Sequence, residues 1–180
     1  MKKYSIIYAD PPWNGTPQLT RDRNRGNIHY PLMKVKKIKD LSVKDISNDN
    51  AILFLWIIDS QLFDALEVIK SWGFIYKTVA FTWIKKTKSG KEHYGLGRWT
   101  RKNPEMCLLA TKGKTYSMLK NKPRQLVNAL IGKHSEKPQE IRNRIIEMFG
   151  DLPRIELFAR QKTEGWDVWG NEVESDIKLK

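Results

Sequence analysis

Asp10-Pro11-Pro12-Trp13 is a short run whose order restricts what chemistry can happen beside it. It follows Tyr4 to Ala9, a β-rich apolar stretch, and two successive prolines forbid continuation as strand or helix, so a strand is expected to end at Asp10. The prolines also remove two amide donors. What remains is a carboxylate and carbonyl oxygens that only accept hydrogen bonds, next to the flat face of Trp13. Such surroundings suit a substrate that presents an NH₂ group. An exocyclic amine with its lone pair delocalised into a ring is a poor nucleophile. Accepting its two protons at Asp10 and the Pro11 carbonyl favours pyramidalisation and turns the lone pair toward an electrophile. The same four residues also read as a strand-terminating turn with Trp13 in the core, since Asp-Pro turns are common.

A carboxylate used this way needs a rigid frame, and in open α/β sheets ligands sit at the carboxyl ends of strands. The rest of the chain supplies such a frame. Residues 14 to 31, rich in Gly, Asn, Thr, Arg and Pro, read as a long loop, and Val35 to Ile46 as one or two short amphipathic helices. Ala51 to Ile58 (AILFLWII) has the continuous apolar character of a strand buried on both faces of a parallel sheet. Asp59 or Ser60 can cap the following helix, whose apolar face is Leu62, Ala65, Leu66, Ile69 and Trp72 and which Gly73 stops. Phe74 to Ile84 and Glu105 to Thr111 read as strands, Gln125 to Gly132 as either strand or helix. Pro138 opens a helix that ends at Gly150, and Ile155 to Ala159 is a last strand. Strands alternating with helices predict an α/β doubly wound sheet in a single domain, 1–172, with a tail over 173–180.

Charge narrows the partners. The chain carries 33 Lys+Arg against 20 Asp+Glu, a net +13, concentrated in two windows. Residues 20 to 44 contribute +6 and residues 85 to 124 contribute +10, leaving −3 for the remainder. A near-neutral scaffold with two basic loop regions suits a phosphate backbone, where each Lys or Arg releases counterions; a lysine-rich solvated surface is the plainer alternative. Arg21, Arg23, Arg25, Lys86, Lys88, Arg98 and Arg101 are the candidates for backbone contact. Trp99 sits within the second window and is a candidate for stacking on bases, while Trp56, Trp72 and Trp83 belong to apolar runs and read as core. The longest apolar run is far short of the roughly 20 residues that cross a bilayer, no signal-peptide pattern opens the chain, and Cys107 is alone, so an intracellular, cytoplasmic protein is expected. His29, His93 and His134 are too scattered to suggest a metal site.

The Asp10-Pro11-Pro12-Trp13 run after an apolar strand resembles the catalytic motif of the MT-A70 (MTA-seventy) family of adenine-N(6) methyltransferases, which includes METTL-type RNA enzymes and bacterial and phage DNA enzymes. Further stretches match in the family's order: Tyr30 in His29-Tyr30-Pro31; Leu53-Phe54-Leu55-Trp56; Glu105 to Gly113; His134 to Pro138; and Ile155 to Arg160 followed by Gly165-Trp166 and Gly170-Asn171. The resemblance spans residues 4 to 172. It implies a Rossmann-like methyltransferase sheet with permuted motif order, the catalytic strand first and the S-adenosylmethionine strand last.

The resemblance implies methylation of the 6-amino group of adenine by Asp10, Pro11, Pro12, Trp13 and Tyr30. It places Asp10, Phe158, Arg160 and Asn171 along the cofactor, with Ser135 and Lys137 near the same edge. Glu156 is either a cofactor ligand or a charge paired with Arg154 or Arg160. The chain starts too late for the family's upstream Asp-Ile cofactor contact, so either another side chain, Asn171 or Glu172, is expected to supply it or cofactor affinity is expected to be lower. Where a lysine precedes the family glutamate this chain has Pro104, with Asn103 as a polar replacement. The short chain resembles the bacterial and phage members, which implies DNA as substrate. RNA, a catalytically silent nucleic-acid-binding subunit and methylation of a protein amide are the alternatives. A homodimer or partner subunit would supply surface that a 21.1 kDa chain lacks.

Overall fold

The computed structural model describes residues 2–14, 32–95, 97, 99–132 and 136–180. The apolar runs become adjacent strands of one seven-stranded sheet: β1 (Tyr4–Ala9), β2 (Ser47–Ile57), β3 (Ile75–Lys86), β4 (Glu105–Lys112), β5 (Leu126–Leu130), β6 (Arg154–Leu157) and β7 (Asp167–Trp169), in the order β5-β3-β4-β2-β1-β6-β7. β1 runs parallel to β2 and β6, β7 to β6, and β5 to β3. β4 is antiparallel to both its neighbours, so the sheet is mixed and not wholly parallel. The reason is the connection: β3 returns to β4 through residues 87–104, which contain no crossover helix, and an apolar strand looks the same in sequence whichever way it runs.

The helices α1 (Val35–Lys39), α2 (Val43–Ile46), α3 (Leu62–Ser71) and α4 (Gln139–Phe149) cover the two faces. Side chains alternate across the strands. Ile7, Leu53 and Leu55 pack with Ile38, Val68 and Trp72 on one face. Ile6, Tyr8, Phe54 and Trp56 pack with Ile145 and Phe149 on the other. Burial on both faces explains the unbroken apolar run of β2.

One local expectation changes and one open alternative is resolved. Asp59–Gln61 forms a 3₁₀ turn, Gln61 takes the N-cap position of α3 without a side-chain cap, and Asp59 instead accepts from Ser60 N–H and pairs with Lys102. The ambiguous stretch at 125–132 is a strand: Val127 is buried while Leu126, Asn128 and Leu130 face out, a period of two. β7 was not foreseen, because three residues between a Gly165 turn and Gly170 give no periodicity to read. Gly73 ends α3 as expected, in the left-handed region at φ 82°. The last residues lie back on the core: Ile177 and Leu179 pack against it, and the Lys180 carbonyl accepts from Ser42 N–H at 2.8 Å and its hydroxyl at 2.6 Å. Among the described residues no helix is long and apolar enough to cross a membrane.

The registers bring several chain segments to one pole. Ala9 lies opposite Leu55 and Leu157, Leu157 opposite Trp169, Ile57 opposite Met106 and Trp83 opposite Glu105. Asp10, Phe158, Gly170, Glu105 and the end of β3 therefore share an edge of the sheet.

Candidate active site

Asp10 stands one residue beyond β1, with its N–H 3.4 Å from the Leu157 carbonyl of β6. The turn after it is pinned by its carbonyls. Pro11 O accepts from Trp13 N–H at 2.8 Å and Pro12 O from Met33 N–H at 2.8 Å. The Pro11 oxygen retains a second lone pair, so the acceptor-only character expected from the prolines persists beside the carboxylate. Trp13 is corrected as an open stacking face. It is 8% exposed within the core, and its indole N–H donates to Trp56 O at 2.9 Å, which anchors the turn to β2. A large aromatic gains more from burial than from standing in water at a rim.

A chain of alternating charges runs from Asp10 into the protein. Lys137, just before α4, places its Nζ 2.7 Å from Asp10 Oδ2 and 3.3 Å from Glu105 Oε2. Lys85, at the end of β3, reaches Glu105 Oε1 at 2.5 Å. Both ammonium groups also lie over indoles, Lys137 at 5.4 Å from Trp56 and Lys85 at 5.3 Å from Trp83. Burial by itself would push the Glu105 carboxyl up, but Lys137 and Lys85 outweigh it and hold it below its ordinary value. Burial likewise works against the Lys137 ammonium, yet Asp10 and Glu105 outweigh it and raise its pKa. Glu105 and Lys137 therefore stay ionised at neutral pH, and Lys137 holds one oxygen of Asp10 in a set direction. Glu105 and Lys85 escaped the sequence reading as site residues; the available signal was a charged residue placed at the boundary of each of two apolar strands.

Beside Asp10 opens a cleft of about 210 Å³, walled by Pro12 and Met33 on one side and by Phe158, Arg160, Trp169 and Asn171 on the other. Glu172 also lines it, 3.8 Å from Arg160 Nε. Phe158 has φ 63°, the one non-glycine residue among those described with a left-handed backbone, which turns the chain off β6. Its ring meets Trp169 edge-on at 5.3 Å. Ala159 N–H donates to Trp169 O at 3.0 Å, and the Ala159 backbone occupies the space where any residue but glycine at 170 would place Cβ. Ser175 and Asp176 fix the same corner through Gly170 and the Val168 N–H.

Asp10, Phe158, Arg160, Asn171 and Glu172 are thus brought together, and Lys137 is joined to them through Asp10. Two of the expected residues lie elsewhere. Glu156 makes a buried, two-pronged pair with Arg142 at 2.8 and 2.7 Å, and the Arg142 guanidinium covers the Tyr8 ring at 5.4 Å. The paired-charge reading holds, with Arg142 in place of Arg154 or Arg160, because β6 points Glu156 at α4 and away from the cleft. Asn103 clamps backbone: it accepts from Lys85 N–H at 2.8 Å and donates to Lys85 O and His93 O. Every polar atom of its amide is committed, so it faces no cofactor. Tyr30, Ser135, Arg21, Arg23, Arg25 and Arg98 lie outside the described residues. Lys86 ends β3, 3.5 Å from Glu92, and Lys88, Trp99 and Arg101 belong to the β3–β4 connection at the active pole. No group of metal-ligating side chains occurs among the described residues, and Cys107 is buried in the core.

The Arg142–Glu156 pair yields a test. Replacing one partner of a buried pair strands the other, so Glu156→Gln is expected to cost about 3 kcal/mol, or a Tm lower by roughly 6–12 °C for a chain of this size. Cofactor affinity of the still-folded variant should stay at the wild-type level. A lowered affinity with unchanged Tm, measured by calorimetry and thermal unfolding, would return Glu156 to the cofactor site.

The MT-A70 family model matches residues 4–172. The type II methyltransferase M.MunI of a Mycoplasma species is 38% identical over 190 residues, covering 96% of this chain and 78% of its own length. Human METTL4, an N(6)-adenine-specific methyltransferase, is 28% identical, with 96% of this chain and 38% of its own length aligned. The human N(6)-adenosine-methyltransferase catalytic subunit METTL3 is 23% identical, with 96% and 28% aligned. The chain spans most of M.MunI and less than half of the two METTL proteins.

Proposed function

The chain belongs to the MT-A70 family of adenine N6-methyltransferases, and from that premise we propose that it transfers a methyl group from S-adenosylmethionine to the 6-amino group of adenine in DNA. The observation that carries the reading is the placement of Asp10: an acceptor-only turn stands at the mouth of a cleft walled by Phe158, Arg160 and Asn171. DNA as the polymer rests on the likeness to M.MunI, which exceeds that to METTL3.

The cleft suits the cofactor. Phe158, Met33 and Trp169 offer apolar walls, Asn171 and Glu172 offer groups that hydrogen-bond hydroxyls, and Arg160 and Asp10 offer opposite charges for a zwitterionic amino-acid end. S-adenosylmethionine supplies the electrophilic methyl group. The protein's part is orientation. Asp10 and the Pro11 carbonyl accept hydrogen bonds from the two amine N–H groups, so that the nitrogen pyramidalises and its lone pair is withdrawn from conjugation with the ring and faces the cleft. Lys137 fixes the Asp10 carboxylate and Trp13 fixes the turn. As positive charge builds on the nitrogen, the Asp10 carboxylate stabilises it without forming a covalent bond to substrate. In a duplex the adenine first leaves the stack. Tyr30 and Ser135 are placed in this site on the family likeness alone.

The finer architecture in this reading is the Rossmann-like, doubly wound methyltransferase sheet in permuted order, supported by helices on both faces and by Asp10 on β1 meeting Phe158 beyond β6. The transferase unit runs over 1–172 with a tail at 173–180, works inside a bacterial cell or as a phage product, and acts as a homodimer or with a partner subunit.

The test is methyl incorporation from labelled S-adenosylmethionine into double-stranded DNA, single-stranded DNA and RNA in parallel, followed by nucleoside analysis. N(6)-methyladenine in DNA is the expected product. Its appearance in RNA alone would move the assignment to RNA. Incorporation into none, by folded protein that binds the cofactor, would replace the reading with a silent subunit or a non-nucleic-acid substrate.

A further inference from the structure

We propose that Trp99 is the wedge that enters a DNA duplex at the target base pair and occupies the gap left by the departing adenine. This rests on the reading of the protein as a DNA adenine methyltransferase and adds how the base is taken out of the stack. Trp99 is 92% exposed, and no large apolar side chain among those described is more so. A fully solvated indole has no role in packing this chain, and its burial becomes favourable only against another molecule.

Its position specifies that molecule. The β3–β4 connection leaves the sheet at Lys86 and re-enters at Glu105, which is joined through Lys137 to Asp10. Trp99 is six positions before Glu105 in the chain, a reach of at most roughly 20 Å, on the connection that leaves and re-enters the sheet at the pole holding the catalytic carboxylate. The root of the connection is stiff. Asn103 ties the returning strand to Lys85 and His93, Gly95 and Lys102 exchange backbone hydrogen bonds, and Lys102 Nζ meets Asp59 Oδ1 at 2.5 Å. The tip is basic, with six Lys or Arg and one acid between residues 86 and 102, and Lys88, Lys91 and Arg101 are exposed. A cationic loop tied down at its root and bearing a solvated aromatic matches a phosphate backbone with a base step to be parted, where an inserted apolar side chain offsets lost stacking. Trp13, the aromatic of the Asp10-Pro11-Pro12-Trp13 turn, is buried and unable to do this.

The experiment compares wild type, Trp99→Ala and Trp99→Phe on DNA whose methylated adenines have first been mapped with the wild-type protein. Rates are measured on the ordinary duplex, on a duplex with an abasic site opposite the target adenine, and on the single strand. The ratio of duplex to single-strand rate is expected to fall by at least about tenfold in Trp99→Ala, because only the duplex requires a base to be expelled. The abasic duplex should recover most of that loss, and Trp99→Phe should lie near wild type. In parallel, 2-aminopurine at the target position should brighten on binding wild type and not on binding Trp99→Ala. An unchanged ratio, as expected if Trp99 faces a protein partner, overturns the wedge while leaving the enzyme assignment intact. Wild-type protein that methylates none of the three DNAs overturns the assignment itself and the wedge with it.

Discussion

Asp10→Ala is expected to reduce methyl transfer by about 10³-fold or more while cofactor binding stays measurable. The cleft has several walls that do not include Asp10: Phe158, Arg160, Asn171 and Glu172 come from the ends of β6 and β7 and keep their places without it. The amine, by contrast, loses its charged acceptor. The Pro11 carbonyl alone accepts from one N–H, and the lone pair remains conjugated with the ring. Single-turnover rates with saturating cofactor separate the two effects, and a variant with turnover comparable to wild type would remove Asp10 from the reaction. Asp10→Asn adds a sharper comparison, since its amide keeps the shape but presents a donor toward either Lys137 or the substrate amine.

Lys137→Met should be equally severe, by a different route. The ammonium stands between Asp10 and Glu105, and its removal leaves two carboxylates near each other with only Lys85 to balance Glu105. Loss of one partner from a buried ionic cluster costs about 3 kcal/mol or more. The pH dependence carries the diagnosis. Glu105 has a lowered pKa in the native state, so its contribution is present above its ordinary value of 4.5 and is lost as pH falls through the native value. Lys137 has a raised pKa, so its contribution is present below its ordinary value of 10.5 and is lost only as pH rises past the native one. Wild type should therefore show flat stability between mildly acidic and mildly alkaline pH as far as this cluster is concerned. Without Lys137 the Glu105 carboxylate loses its main countercharge, its pKa rises, and the acid-side loss begins closer to neutrality. Urea midpoints measured across pH 4 to 8 would show it. An acid limb identical to wild type would mean that Lys137 does not govern the charge of Glu105. Transfer should fall as well, because Asp10 then has no fixed direction.

What the sequence determined by itself was local and one-dimensional. The end of β1 at Asp10 followed from two prolines, the double-sided burial of β2 from an unbroken apolar run, and the stops at Gly73 and Gly150 from glycine's access to the left-handed backbone. The ordered motifs from Asp10 to Asn171 were sufficient to name the family and to collect most of the cleft. Tertiary structure decided matters that depend on which strands become neighbours. β4 runs antiparallel because its connection to β3 is a projection and not a crossover helix, and burial patterns carry no sign of direction. Trp13 went to the core and not to a stacking face because Trp56 O lay within reach of its indole. Glu156 found Arg142 because β6 packs beneath α4. Lys137 meets Asp10 across 127 positions of chain and Glu105 across the sheet. No spacing rule foretells such pairs. A charge is stabilised by whatever countercharge the fold delivers within a few ångströms, and that distance is set by sheet order, which side-chain periodicity leaves open.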